Sequence, residues 1–457
     1  MNLARMLRQR AEEDRPIRVG VIGAGKFGSM FLAQARTTPG LHVLGVADLS
    51  AARAREALER TGWEAGRIAS GFEEARASGR TAVTNDALAL IAADIEVMID
   101  VTGSPAAAIR HVLAAIEHGR HVVNITVEAD VLAGPLLAER ARKAGLVYSY
   151  AYGDQPALVC EMVDWAKAAG FSVVAAGKGT KYLPGYERST PDTVWEHYGI
   201  SAEAAAAAGM NAQMFNSFLD GTKSAIEMAA ISNATGLKAP KDGLAFPPCG
   251  ADDLARMLVP RAAGGVLEEP GLVEVVSSLE RDGRPVPRDL RWGVYVVFGA
   301  GSDDARGDYT RRCFSEYGMP TDHSGHYSAL YRPYHLVGLE LGIAVAAAAL
   351  RGEPTGTPES FRADVVAVAK KALNSGDTLD GEGGHCVYGR LMRAEESLAR
   401  RALPIGLAHK VKMLKSVAAG AVVSWDDVAI GDSEAVGVRR EMERTFAPKI
   451  AARAAAE

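Results

Sequence analysis

Gly23-Ala24-Gly25-Lys26-Phe27-Gly28 is the segment of this 457-residue chain whose residue types and spacing commit most strongly to a chemistry. It ends a β-branched run (IRVGVIG, 17–23) and opens a helix-like segment at 26–37. In that setting a GxGxxG turn aims unpaired N–H groups and the positive end of a helix dipole at a pyrophosphate. Gly23 permits the tight turn, Gly25 the close approach of a phosphate, and Gly28 the packing of helix on strand. Lys26 and Phe27 complete the turn. Asp48 ends the next strand-like run, 20 residues after Gly28. Its carboxylate can accept from both ribose hydroxyls, which favours NAD, whereas nearby Arg53 can receive a 2′-phosphate, which favours NADP. Thr102-Gly103 and Glu128 follow two further strand-like runs, at the carboxyl edge that lines the crevice of a doubly wound sheet. Together these residues predict bound NADP or NAD, and with it hydride transfer.

Hydride transfer between a nicotinamide and a carbonyl or carbinol carbon also needs a proton donor and charges that hold the substrate. Lys178 stands between two glycines at a strand end and could be that donor, or a point charge for a carboxylate or phosphate. Asp220, Lys223 and Glu227 form a second cluster: a helix over 220–235 would place all three on one face. Arg332, in YRPYH, could clamp a carboxylate or phosphate, and His335 could exchange protons near neutral pH. Salt bridges, helix caps and a packed histidine compete for the same residues. No metal site is assigned, since Cys160, Cys249, Cys313 and Cys386 form no CxxC pair and match no zinc spacing.

The elements that must position these groups change character along the chain. Up to about residue 155, strand-like runs at 17–23, 41–48, 96–103, 121–126 and 146–153 alternate with helix-like ones, the pattern of a parallel α/β Rossmann domain. Residues 156–355 read as a mixed α/β substrate domain. In it, 211–237 looks helical, 300–311 is a polar loop, and the apolar stretch 336–350 is a buried helix too short to span a bilayer. A Gly/Pro/Thr-rich boundary at 351–359 leads to a small β-rich module at 360–432 and a charged, fraying helical tail at 433–457. The formal net charge of −5 provides no bulk field for nucleic acid or anionic membrane. The N-terminus lacks the apolar core of a secretion signal. The expectation is a cytoplasmic homo-oligomer acting on a small molecule, without nucleic-acid or membrane partners.

With VGVIGAGKFG (19–28), IDVTGSP (99–105), NITVEAD (124–130), AAGKGTK (175–181), DGTKSAIEMAAISNATGL (220–237), RPYHL (332–336) and the stretch 365–430, nearly the whole chain resembles the homoserine-dehydrogenase-like oxidoreductases that carry a C-terminal SAF domain. The resemblance implies that 360–432 is SAF-like, that Lys178, Asp220, Lys223, Glu227, Arg332 and His335 line the cleft, and that NADP is slightly favoured. One branch comprises the 1-deoxy-D-xylulose 5-phosphate reductoisomerase-like enzymes, which use NADPH and a divalent cation. In such an enzyme Glu227 or Asp220 would bind the metal. The sequence departs from that branch in the segment after Lys178 and at Tyr331. A nucleotide-binding sensor or assembly protein without turnover is the alternative from another class.

Overall fold

The computed structural model describes residues 2–301 and 304–454, which form two compact units. The first comprises 1–158, 336–359 and 437–442. Its sheet has seven strands: β1 (Ile17–Ile22), β2 (Leu41–Ala47), β3 (Ile68–Ala69), β4 (Thr81–Thr84), β5 (Val97–Asp100), β6 (His121–Asn124) and β7 (Tyr148–Tyr150). Their order is β3-β4-β2-β1-β5-β6-β7, parallel throughout. Every residue of β5, and nearly every one of β1, is buried, as strands covered on both faces must be. The chain turns from β2 to β5 across β1, so the switch point and its crevice lie at the carboxyl end of β1. The short strands β3 and β4 lack a long apolar run, and the sequence pattern does not resolve them.

The second unit comprises 159–335, 360–436 and 443–457. Its larger sheet contains β8 (Ser172–Thr180), β9 (Leu272–Ser277), β10 (Val294–Gly299) and β11 (Tyr327–Arg332), in the order β11-β10-β8-β9. β12 (Ala363–Ala369) pairs antiparallel with β14 (Val387–Arg393), while β13 (Thr378–Asp380), β15 (His409–Met413) and β16 (Val428–Ala429) form a third sheet. The helix Thr222–Thr235 touches β8 and β9 on one side and β12 and β14 on the other. Sandwiched in this way it is buried almost all round, and Lys223 alone among residues 222–233 is half-exposed. Both helix ends anchor β12 and β14: Gly389 N donates to Thr222 Oγ1 at 2.8 Å, and Ala363 N to Asn233 Oδ1 at 2.9 Å.

Four sequence expectations are revised. The helix over 211–237 is two helices, Ala212–Leu219 and Thr222–Thr235, because Gly221 adopts a left-handed conformation between them. The polar segment 300–311 is not all loop: Asp304 accepts from the amides of Arg306 and Gly307 and caps the helix Ala305–Glu316, while 302–303 lie outside the described residues. The apolar helix begins at Gly342 and packs on β1, β5 and β6, so 336–359 joins the first unit rather than the middle of the chain. The terminal helix Glu434–Ala454 does not merely fray, since Val438, Met442, Phe446 and Ile450 recur every fourth residue and are buried. Among the described residues no helix is long and apolar enough to cross a membrane.

Candidate functional site

In the first unit, the residues singled out for a nucleotide lie at the carboxyl edge of the sheet. Gly23 follows β1 with φ 110°, a conformation only glycine adopts without strain. A Cβ on Gly28 would stand 2.3 Å from the Gly23 carbonyl, whereas one on Gly25 would meet nothing within 4 Å. The close approach at Gly28 holds the turn and helix together, and the open side at Gly25 is where a phosphate can approach. The helix Lys26–Ala35 has no side-chain cap, which leaves its first amides available to an anion.

Asp48 follows β2 and is buried. Its Oδ2 accepts from Ala24 N and from Arg53, both at 2.9 Å. Burial works to raise this carboxyl. The Arg53 guanidinium and the amides of Ala24 and Ser50 outweigh it and hold the group below the usual carboxylate range. The acid thus braces the glycine turn, and Arg53 reaches it from a largely exposed position.

Behind Thr102 and Gly103 lies Asp100, which the sequence reading missed. Asp100 is fully buried at the end of β5, where its Oδ1 accepts from the hydroxyls of Thr102 and Thr126 at 2.8 Å. Its Oδ2 lies 2.7 Å from His111 Nδ1, and Thr126 Oγ1 in turn accepts from Gly103 N at 3.1 Å. An acid directly before Val-Thr-Gly was the available signal. Glu128 lies in the first turn of the helix Val127–Lys143, after β6, and is half-buried.

Next to it, Asp130 is buried with Asn124 and Tyr148, both of which donate to its Oδ1, while Oδ2 has no hydrogen-bond partner. Burial pushes this carboxyl up to about 8 against the pull of those bonds. The native chain therefore keeps a proton that the unfolded chain releases above its ordinary value of 3.8. Stability from this group is fully present below that value and is lost as pH rises towards 8. Asp130→Asn should accordingly gain stability over the parent progressively across that window. Urea midpoints at several pH values check this, and a difference independent of pH would count against it.

In the second unit the catalytic candidates gather at one end of the β11-β10-β8-β9 sheet. Lys178 pairs across with Val294 of β10, and Val294 pairs with Arg332 of β11. Directly opposed residues share a face, so Lys178 and Arg332 project from the same side, two strands or roughly 10 Å apart. Lys178 is buried (7% exposed) in an ion pair with Glu227 (3% exposed) of the helix Thr222–Thr235. The glycines that flank Lys178 serve packing: a Cβ on Gly177 or Gly179 would lie 1.9 Å from the carbonyl of Glu274 or Leu290, respectively. His335 Nδ1 lies 2.9 Å from the Trp292 carbonyl, which can only accept, so Nδ1 carries the hydrogen.

The cluster expected on one helix face is divided. Asp220 lies outside the helix. Its Oδ2 binds Lys370 at 2.8 Å and its Oδ1 accepts from Thr222 N at 2.9 Å. Glu227 turns to Lys178, and Lys223 is half-buried one turn before it. Lys370 is a further residue missed from the sequence. Its ammonium also donates to the carbonyls of Ser189 and Gly384, both at 2.7 Å.

Comparison with known proteins matches two consecutive segments. Residues 17–125 match the oxidoreductase family NAD-binding Rossmann fold (GFO/IDH/MocA), and residues 153–341 match the oxidoreductase DRL catalytic domain. No curated protein matches the chain. Among solved structures, the chain is similar to the 3-ketoreductase KijD10 of Actinomadura kijaniata, crystallised with TDP-benzene and NADP, at 19% identity and TM-score 0.26, over 37% of this chain and 49% of that one. It thus spans about half the length of that enzyme. It is also similar to scyllo-inositol dehydrogenase of Lactobacillus casei, with NAD(H) and scyllo-inositol, at 13% identity and TM-score 0.33, over 62% of this chain and 73% of that one. Dihydrodipicolinate reductase of Paenisporosarcina sp. TG-14 aligns at 14% identity and TM-score 0.33, over 74% of this chain and 97% of that one.

Proposed function

We propose that this chain, an NAD(P)-dependent oxidoreductase, exchanges a hydride with the carbonyl or carbinol carbon of a small, polar, anionic substrate. The buried Lys178–Glu227 pair carries this reading, because it keeps a lysine away from water at the end of the sheet where Arg332 also projects. A dinucleotide held at the glycine turn 23–28 would supply or accept the hydride. Lys178 Nζ gives its proton to the developing alkoxide in reduction and takes it back in oxidation. Glu227 orients that ammonium and stabilises its charge. Lys223 lies on the same helix face one turn away and is the alternative donor. Arg332 offers a two-pronged donor to an anionic group. His335 stands at the same end of the sheet, held by its bond to the Trp292 carbonyl.

A reductoisomerase-like reaction with NADPH and a divalent cation is the second reading. It requires carboxylates free to ligate, but Asp220 is closed by Lys370 and Glu227 by Lys178. Among the described residues no three His, Cys, Asp or Glu side chains gather as a ligand group. The residues do not fit a divalent ion. A Rossmann domain (1–155) joined by 336–359, a substrate domain over the rest of 156–355 and an SAF-like module (360–432) complete the proposed layout. The small antiparallel sheets β12-β14 and β13-β15-β16 support the last of these.

The test is a panel of hydroxy acids, oxo acids and sugar phosphates, with NADPH or NADH, followed by nicotinamide absorbance. Turnover of an anionic member is expected. Tight dinucleotide binding without turnover of any member would favour a sensor. Arg53 is placed to choose between the dinucleotides by leaving Asp48 for a 2′-phosphate. Arg53→Ala should weaken NADPH at least about tenfold and leave NADH nearly unchanged, since a charge-assisted bond to a phosphate contributes about 1.5–3 kcal/mol. Fluorescence titration with both cofactors checks this, and equal losses for the two would refute it.

A further inference from the structure

Two cations meet over one aromatic ring at the same end of the second unit's larger sheet, and among the described residues neither is paired with an acid. Lys181 lies in the loop after β8, and its Nζ is 5.5 Å from the centre of the Tyr198 ring. Arg291 precedes β10, and its guanidinium carbon is 6.0 Å from the same ring and 4.9 Å from the indole of Trp292. Lys181 Nζ also donates to the His197 carbonyl, which does not neutralise its charge. Among the described residues, neither cation has a salt bridge to a carboxylate. Burial, followed by the repulsion of Arg291, lowers the proton affinity of Lys181. Holding two like charges together in this way costs free energy unless a negative group completes the arrangement.

The surroundings suit such a group. Trp292 is 61% exposed, and Tyr182 stacks on Phe246 at 3.8 Å nearby, where both lie against Gly221 at the mouth of the helix that carries Lys223 and Glu227. The Trp292 carbonyl holds His335, and Lys181 follows β8 while Arg291 precedes β10, so the two cations lie at the end of the sheet where Lys178 and Val294 pair. A guanidinium brings a planar fork and an ammonium a mobile point charge, a combination that fits an oxyanion with several acceptor oxygens.

We infer that Lys181 and Arg291 form an oxyanion subsite that seats the charged end of the substrate beside Tyr198 and Trp292. This rests on the oxidoreductase reading for its place in the reaction but not for its existence. Phosphoryl and carboxylate groups share the chemistry, and separate arms distinguish them.

The test is calorimetric titration of the full chain saturated with NADPH, which blocks the glycine turn, by inorganic phosphate in one arm and malonate in the other. At least one anion should bind. Arg291→Ala and Lys181→Ala should each weaken it at least about tenfold, and Arg291→Lys should recover part of the loss. An unchanged urea unfolding transition certifies each variant as folded. A control variant, Lys241→Ala with Arg390→Ala, removes two cations from a separate cavity of about 560 Å³ and should change nothing. Failure of both anions to bind the parent chain, unchanged affinity in the Arg291 and Lys181 variants, or loss in the control instead would overturn the proposal. If these variants lose the anion while no panel substrate turns over, the subsite stands and the catalytic reading falls. If turnover is found and KM is unmoved in both variants, the subsite falls and the catalytic reading stands.

Discussion

Replacing Lys178 by methionine is expected to lower kcat by about 10²- to 10⁴-fold, the range that a positioned general acid contributes. Dinucleotide affinity should stay within about twofold, because the loss is confined to the proton transfer and Lys178 lies outside the first unit. Methionine keeps the length and apolar stem of lysine but leaves Glu227 buried without its cation. An uncompensated charge of this kind destabilises by about 3–5 kcal/mol unless the acid takes up a proton. The single variant could therefore lose activity through misfolding alone. Lys178→Met with Glu227→Gln separates the two causes: a neutral partner removes the buried charge, so stability should return while activity does not. Steady-state kinetics and urea unfolding on the same preparations measure both. Recovery of kcat in the double variant would show that Lys178 serves packing rather than proton transfer, and full activity in the single variant would pass the role to Lys223.

The parts of this architecture that sequence exposes are those whose physics is local. The turn at 23–28 is legible because its glycines, the preceding strand and the following helix are contiguous, and each glycine answers a nearby constraint. The ion pairs are not legible in this way. Lys178 and Glu227 sit 49 residues apart, on a strand and on a helix whose contact is settled only when the sheet packs. A helical-face argument joins Asp220 to Lys223 and Glu227, but it assumes that the helix continues through Gly221. The left-handed conformation there turns Asp220 towards a lysine 150 residues further along. Asp100 was hidden for another reason. It reads as the polar end of a buried strand, and its role appears only when Thr126, from a different strand end, reaches back to it. Arg291 is similar: no spacing rule links it to Lys181, since the sheet register alone brings their loops together.

Replacement of Lys370 by methionine should have the largest effect on stability. The Lys370 ammonium has three donors and three acceptors, Asp220 Oδ2 and the carbonyls of Ser189 and Gly384, all at 2.7 or 2.8 Å and all away from water. Lys370→Met would leave a buried carboxylate unpaired and two carbonyls unbonded. The first defect costs about 3–5 kcal/mol and each orphaned carbonyl about 1–3 kcal/mol. Burial already raises the Asp220 carboxyl against the pull of Lys370, so without the lysine Asp220 should take up a proton more readily still. That uptake caps the penalty and makes it grow with pH. Asp220→Asn with Lys370→Met should recover part of the loss, because no charge then remains to be solvated. A double-mutant cycle from urea unfolding at neutral pH measures the coupling. A single-variant loss below about 1 kcal/mol, the scale of an exposed ion pair, would mean that water reaches Lys370 and that Asp220 is free to act elsewhere.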